Sequence, residues 1–594
     1  MISGWLLAAG LACLPLAGAT LSYQDNPTLT KQLKELARAH KKIARLERAC
    51  ETPGKSEVWR LELGDGNQEE RKRRPAVLVV AGIEGNDLAG TASTVAWAES
   101  LAKAYETDEK TRKLLETTTI YLWPRLNPDG ARHFFGKPKL ETATNDQPVD
   151  EDHDGLVDED GPDDLDGDGQ ITWMRIEDPD GEYILDPAEP RLLLKADRSK
   201  GERGAWRFLS EGRDDDGDKA WNEDGPGGVN FNRNFPFNFR FFAPWSGRHQ
   251  VSEIETRALA DFVVEHPNIA VAFTFGAADN LVQTPKGEAP KRPPSALHEE
   301  DVPWYRELGQ AWREALGLKK ELTGSSEPGT FSDWMYFHRG RLSLAARAWS
   351  PALQLELAKV KSKETAAQPK DEPGKKDEAG RKDEPGKRDD KGKTEKADEK
   401  SSDKNKETDH RNEEDRAFLK WIDENAREMF VPWKSFQHPD FPGKKVEIGG
   451  FAPFAKSLPP EKLLGEIAAR EGKFLTELAG KLPRIGVRKA EAKHLGEAVY
   501  DVTVAVENTG YLPTTLAQGS LTRDVNPTRV ILKVEDKNIL SGARITMLNA
   551  IQGSEAREVR WVVRAKGEKK LDLEIISLLG GRLQTAVELK EGSN

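Results

Sequence analysis

The stretch Ala76-Val-Leu-Val-Val-Ala-Gly-Ile-Glu-Gly-Asn-Asp-Leu-Ala-Gly90 carries the strongest fold signal in the chain. Ala76 to Ala81 is an apolar run of strand length, closed by Gly82 and turned again at Gly85. From Leu88 to Tyr105 apolar residues, Val95 and Leu101 among them, recur at helical spacing. Strand, tight turn and helix in that order predict an α/β protein with a largely parallel sheet. Open sheets of this kind place their chemistry at the carboxyl ends of the strands. Two carboxylates, Glu84 and Asp87, stand in that turn.

Upstream, Pro27 to Glu47 reads as an amphipathic helix, with Leu29, Leu33, Leu36 and Ile43 along one face, and Val58 to Leu63 as a strand. Downstream, Thr118-Thr-Ile-Tyr-Leu-Trp123 is the next strand and runs into Pro124-Arg-Leu-Asn-Pro-Asp-Gly130. An acidic insertion comes next, spanning 145–226, with an internal repeat. Asp150-Glu-Asp-His-Asp-Gly-Leu-Val-Asp-Glu-Asp-Gly-Pro162 aligns without gaps on Asp214-Asp-Asp-Gly-Asp-Lys-Ala-Trp-Asn-Glu-Asp-Gly-Pro226, and Asp164-Leu-Asp-Gly-Asp-Gly169 lies between them. Carboxylates at alternate residues before a turn-forming Gly resemble the first half of a calcium loop, although the carboxylate expected at the twelfth position is replaced by Gly161, Gly225 and Arg175. Hard oxygen donors suit Ca²⁺ over Zn²⁺. The expected calcium ligands are Asp150, Asp152, Asp154, Asp158, Asp164, Asp166, Asp168, Asp214, Asp216 and Asp218.

Three further strings complete the pattern. Gly227-Gly-Val-Asn-Phe-Asn-Arg-Asn-Phe-Pro236 comes directly after the second repeat. Ser252-Glu-Ile-Glu255 reads as a capping box before a helix to about His266, and Ile269 to Phe275 as a buried strand. Gly329-Thr-Phe-Ser-Asp-Trp-Met-Tyr336 precedes the strand Arg341-Leu-Ser-Leu-Ala-Ala-Arg-Ala-Trp349. In this order, with the turn at Glu84 and the Asn127-Pro-Asp-Gly130 string, these motifs resemble the zinc carboxypeptidases of the carboxypeptidase A and T type. The resemblance spans roughly residues 25–350, and more loosely 418–594.

That resemblance implies a metallopeptidase fold, a mixed and mostly parallel sheet flanked by helices, and it assigns positions. Glu84 stands where the family has a zinc-binding His, and Asp87 where it has a zinc-binding Glu. Gly276 stands at the third ligand, with Asp279 the nearest carboxylate. Arg347 stands at the catalytic Glu, and a guanidinium accepts no proton at physiological pH. Ser325 stands at the mobile substrate-side Tyr. Asn232 and Arg233 match the pair that holds the substrate's terminal carboxylate, and a guanidinium fork suits that task. The competing reading of Arg233 is an ion pair with a nearby acid. A cationic Arg347 in the empty metal position predicts contact with Glu84 or Asp87 at salt-bridge distance.

Residues 361–417 contain no Val, Ile, Leu, Met, Phe, Trp or Tyr and carry a degenerate Lys-Asp-Glu-Pro-Gly-Lys hexad, which predicts a disordered charged tether. Residues 418–482 are expected to complete the peptidase-like domain. From 483 to 594 short alternating strands predict an immunoglobulin-like antiparallel β-sandwich with an unassigned partner. The apolar run at 4–18, ahead of Ala17-Gly18-Ala19, reads as a signal peptide (1–19) and implies export, with no transmembrane span. Cys50 would then have no internal partner. A formal charge of -12 argues against general nucleic-acid binding.

Together these readings predict an exported carboxypeptidase-like protein with Ca²⁺-stiffened loops, a degenerate zinc site and a pocket for a peptide or C-terminal carboxylate. One alternative is an active metallocarboxypeptidase holding zinc or a harder metal through rearranged ligands. The other is a purely structural interaction protein.

Overall fold

The computed structural model describes residues 21–149, 155, 157–158, 160–217, 219, 221–222, 225, 227–367 and 411–590. The Ala76–Val80 strand lies inside a six-stranded mixed sheet, between Thr119–Trp123 and Ile269–Phe275, and is parallel to both. Leu342–Ala346 extends the parallel part, while Glu57–Leu63 and Ala44–Glu51 add antiparallel strands at the other edge. All residues of Ala76–Val80 are buried, as a strand covered on both faces requires. Val77 and Val79 pack with Phe273, Leu101, Trp312 and Phe474 on one face. Leu78 and Val80 pack with Leu259, Phe262 and Met335 on the other. The helix Leu88–Ala104 leaves the turn as the sequence predicts, and Glu461–Gly480 packs against it, with Gly472 letting Trp97 approach.

Several expectations are corrected. The first helix is Asn26–Ala39, and the chain then enters the Ala44–Glu51 strand instead of continuing as helix. Pairing with Glu57–Leu63 supplies ladder hydrogen bonds that local helical periodicity does not anticipate. The capping box at Ser252 is absent. The helix Ile254–Glu265 has Glu253 as its N-cap without a side-chain bond, and Ser252 Oγ instead donates to Glu253 and accepts from Asn234. Residues 361–367 and 413–417 of the expected tether belong instead to the helices Pro351–Ala367 and Glu413–Asn425. Residues 368–410 and the predicted signal peptide lie outside the described residues. Among the described residues no helix is long and apolar enough to cross a membrane.

A second, antiparallel six-stranded sheet joins two distant parts of the chain. Trp173–Glu177, Trp206–Ser210, Tyr183–Leu185 and Leu193–Lys195 come from the acidic insertion, and Val446–Phe451 and Phe430–Phe436 from beyond the tether. Arg175 links the two by an ion pair to Glu447 at 2.7 Å and by stacking over Trp433. The C-terminal part forms two four-stranded antiparallel sheets around Val502, Val504, Val530, Trp561 and Ile575, a β-sandwich.

The sandwich is fastened to the α/β part by the short helix Ala517–Thr522. Buried Asp301 accepts the backbone N–H groups of Ala517 and Gln518 at 2.8 and 3.0 Å and the Tyr336 hydroxyl at 2.9 Å. Gly340 and Gly519 allow the backbones to touch: a Cβ on Gly340 would lie 2.3 Å from the Gly519 Cα. Removing the carboxylate strands three buried donors, each worth about 1–3 kcal/mol. Asp301→Ala is therefore expected to lower stability by about 2–4 kcal/mol in urea unfolding and to expose the 517–522 helix to proteolysis. Unchanged protection there would contradict the fastening role.

Candidate functional site

Glu84 leaves the carboxyl end of the central strand and turns inward, 3% exposed. One carboxylate oxygen accepts the Asn232 side-chain amide at 2.7 Å, and the other accepts the Ala277 N–H at 3.0 Å. Burial pushes its carboxyl up to about 7, against the opposing effect of the Asn232 and Ala277 bonds. Gly276 makes this crossing possible: a Cβ there would sit 2.5 Å from the Glu84 oxygen and 3.0 Å from the Asn232 amide nitrogen. The positions that the sequence grouped are thus adjacent in space, but their atoms serve one another. Asp87 points elsewhere. It caps the Leu88–Ala104 helix by accepting Gly90 N–H at 3.0 Å, and its second oxygen accepts Gly82 N–H at 3.1 Å. Burial raises its carboxyl above the ordinary range.

Asp279 is also committed, accepting the backbone N–H groups of Leu281 and Val282 at 3.0 Å and of Arg347 at 3.2 Å. The expected contact of Arg347 with Glu84 or Asp87 does not form among the described residues. Its guanidinium is exposed and donates through Nε to Ala277 O at 2.7 Å, where the Ser325 hydroxyl also donates at 2.6 Å. With that carbonyl in reach, the longer side chain is satisfied without entering the buried acid pair. Asn232, expected to meet a substrate carboxylate, spends its amide on Glu84. Arg233 pairs with Glu327 at 2.7 Å and lies over the Trp245 ring, which is the competing ion-pair reading. Glu327 was not singled out from the sequence, since it falls between Ser325 and the string that opens at Gly329.

Residues 29–158 and 192–357 match the model of the family described as zinc carboxypeptidase. The chain belongs to the zinc carboxypeptidase family. Residues 484–588 of this family member match a second family, described as a domain of unknown function (DUF8731). Among its relatives are carboxypeptidase D of Anas platyrhynchos, 31% identical over 108 residues, and of Homo sapiens, 30% over 115 residues. These matches cover 18% and 19% of this chain but only 8% of either relative. Of solved structures, thrombin activatable fibrinolysis inhibitor is similar at 15% identity and a TM-score of 0.37, covering 55% of this chain and 66% of that one. Carboxypeptidase A from Helicoverpa armigera is similar at 13% and 0.35, covering 59% and 75%.

The family implies Zn²⁺, and the residues present do not fit it. A catalytic zinc needs three N, O or S donors and an open position. Here Gly276 offers no donor, Glu84 and Asp87 accept backbone and amide hydrogens, and no three-ligand group forms at Glu84 among the described residues. The one such group among them is Asp164, Asp166 and Glu211, whose oxygens lie within 4.8 Å of one another. Glu211 was missed in the sequence because it stands outside the repeat. The Asp168 N–H donates to both Asp164 and Asp166, and its own carboxylate accepts Gln170 N–H. Asp158 and Asp214 instead cap loop N–H groups at Gly227 and Gly217, and neither they nor Asp216 join a three-ligand group among the described residues. Asp150, Asp152, Asp154 and Asp218 lie outside the described residues.

Two measurements check this geometry. A Glu carboxyl raised from 4.5 to about 7 stabilises the fold fully below pH 4.5, and that contribution is lost as pH rises through 7. The chain is therefore expected to lose up to roughly 3 kcal/mol from this group on going to about pH 8, a slope that Glu84→Gln removes in urea titrations across pH. Gly276→Ala is expected to cost about 1–3 kcal/mol, and appreciably less in a Glu84→Ala background. Additive effects would show that the two positions do not touch.

Proposed function

We propose that this family member is a non-catalytic peptide-binding protein, exported from the cell, which holds ligands by a terminal carboxylate at Arg233. The observation that carries this reading is the closed hydrogen-bond set of Glu84 with Asn232 and Ala277, which commits the carboxylate at one family ligand position while Gly276 at another offers no donor. The base position adds to it: Arg347 donates to a carbonyl and has no basic lone pair. The recognition half of the cleft remains usable, because the Arg233 side chain is 29% exposed and its partner Glu327 is 46% exposed. A ligand carboxylate would exchange with Glu327 on the same guanidinium, and an exposed ion pair of this kind is weakly held. In the acidic insertion, Asp164 and Asp166 of the loop and the buried Glu211 would hold a structural Ca²⁺, since hard oxygen donors suit that ion.

The test counts metal per chain after chelation and separate supply of Zn²⁺ and Ca²⁺, then assays cleavage and binding of peptides with free C-termini. Calcium without stoichiometric zinc is expected, with no release of C-terminal residues. Arg233→Ala should weaken peptide binding about tenfold or more, near 1.4 kcal/mol, and Glu327→Ala should strengthen it. One tightly held zinc per chain, lost in Glu84→Ala and accompanied by cleavage, would overturn the proposal in favour of an active metallocarboxypeptidase.

A further inference from the structure

Between the second acidic repeat and Glu253 the chain carries no carboxylate at all. Residues 225–252 include Arg233, Arg240 and Arg248 but no Asp or Glu, in a protein with 101 acidic residues. At the centre of that stretch, Asn238-Phe-Arg-Phe-Phe-Ala-Pro-Trp245 projects its rings outward. Phe241 is 58% exposed, Phe242 fully exposed and Trp245 50% exposed. Neither Arg240 nor Arg248 forms an ion pair with a described residue, and both are exposed.

The projection is built in. Asn238, Phe242 and Trp245 have φ of 53°, 61° and 59°. Bulky side chains avoid this left-handed region, and it persists only where the surroundings over-determine it. The surroundings here are family-motif residues. Asn230 N–H donates to Trp245 O at 2.9 Å, and the Asn234 amide donates to Ser246 O at 2.8 Å and His249 O at 3.1 Å. The buried Ser246 hydroxyl closes the turn onto Ala243 O at 2.7 Å. The loop is thus pinned at its base while its tip carries unburied aromatic surface, and exposed apolar patches with a charged rim mark protein or membrane contacts.

We infer that the 238–248 loop is a membrane-docking element that inserts Phe241, Phe242 and Trp245 into the headgroup and acyl boundary of an anionic lipid surface. The rings at the tip are splayed, with Phe241 and Phe242 centroids 6.4 Å apart and inclined at 47°. A fluid boundary accepts splayed rings without a matching pocket for each, and Trp and Phe with flanking Arg are the residues that settle at such an interface. The stretch adds no carboxylate of its own to repel lipid phosphates, and the Glu327 carboxylate beside Trp245 is paired with Arg233. At physiological ionic strength, charges elsewhere on the acidic chain are screened beyond about 8 Å. Local sign therefore decides. The inference does not depend on peptide binding at Arg233.

The test is cosedimentation of the full chain with vesicles of phosphatidylcholine alone and of phosphatidylcholine with one quarter phosphatidylglycerol. Binding to the anionic vesicles is expected, at least tenfold stronger than to the neutral ones. Phe241→Ser with Phe242→Ser should reduce it tenfold or more, with an unchanged melting temperature because both rings are exposed. Arg240→Gln with Arg248→Gln should abolish the preference for anionic lipid while leaving residual binding. A wild-type chain that stays in the supernatant with both vesicles would overturn the inference, as would a Phe241/Phe242 variant that binds like the wild type. Concentration-dependent self-association that these same Phe substitutions abolish, without vesicle binding, would assign the loop to a protein interface instead.

Discussion

The arrangement of the cleft depends on one carboxylate that crosses between two strand ends. Glu84 begins at the end of the central strand and finishes on the N–H of Ala277, beyond the neighbouring strand, with Asn232 holding its other oxygen. The parallel strands Ala76–Val80 and Ile269–Phe275 bring Glu84 and Ala277 together beyond their carboxyl ends, and the Phe231–Arg233 turn presents Asn232 to the same carboxylate. Glycine at 276 leaves the room that the Glu84 side chain takes. The surrounding groups adjust to it: Asp87 turns back to cap its helix, Asp279 ties its own loop, and Arg347 stays at the rim.

Burial gives this network its chemical character. Desolvation pushes the Glu84 carboxyl up to about 7, which ties the stability of this network to pH. Beside that network, Arg233 sits on the Phe231–Arg233 turn, is partly open to solvent, and is paired with Glu327. The same turn anchors the aromatic loop, so the most specific family motif in the sequence braces a protruding surface as well as the cleft.

The additions to the α/β core are held by specific contacts. The acidic insertion and the chain beyond the tether share one antiparallel sheet, which places two regions far apart in sequence in register. The sandwich is held by Asp301 at the start of a six-residue helix and by glycine-to-glycine backbone contact. Both attachments use buried ionic or backbone groups, whose loss is costly.

The α/β core was legible from the chain alone, because apolar runs of strand length and glycine-punctuated turns are local signals. So was the family, because the motifs around Glu84, Asn127, Arg233 and Asp333 occur in order. The alternating strands of the C-terminal sandwich were readable for the same reason. Three features came only with folding. The Ala44–Glu51 segment became a strand through pairing with a partner its own periodicity does not reveal. The second sheet required strands separated by the tether. The roles of Asn232, Arg233 and Arg347 changed because each hydrogen-bonds to the nearest available group, and which group is nearest depends on loops that carry no pattern. Side-chain identity sets what a residue can donate or accept, whereas the partner is chosen by distances of a few ångströms that exist only after the strands have paired.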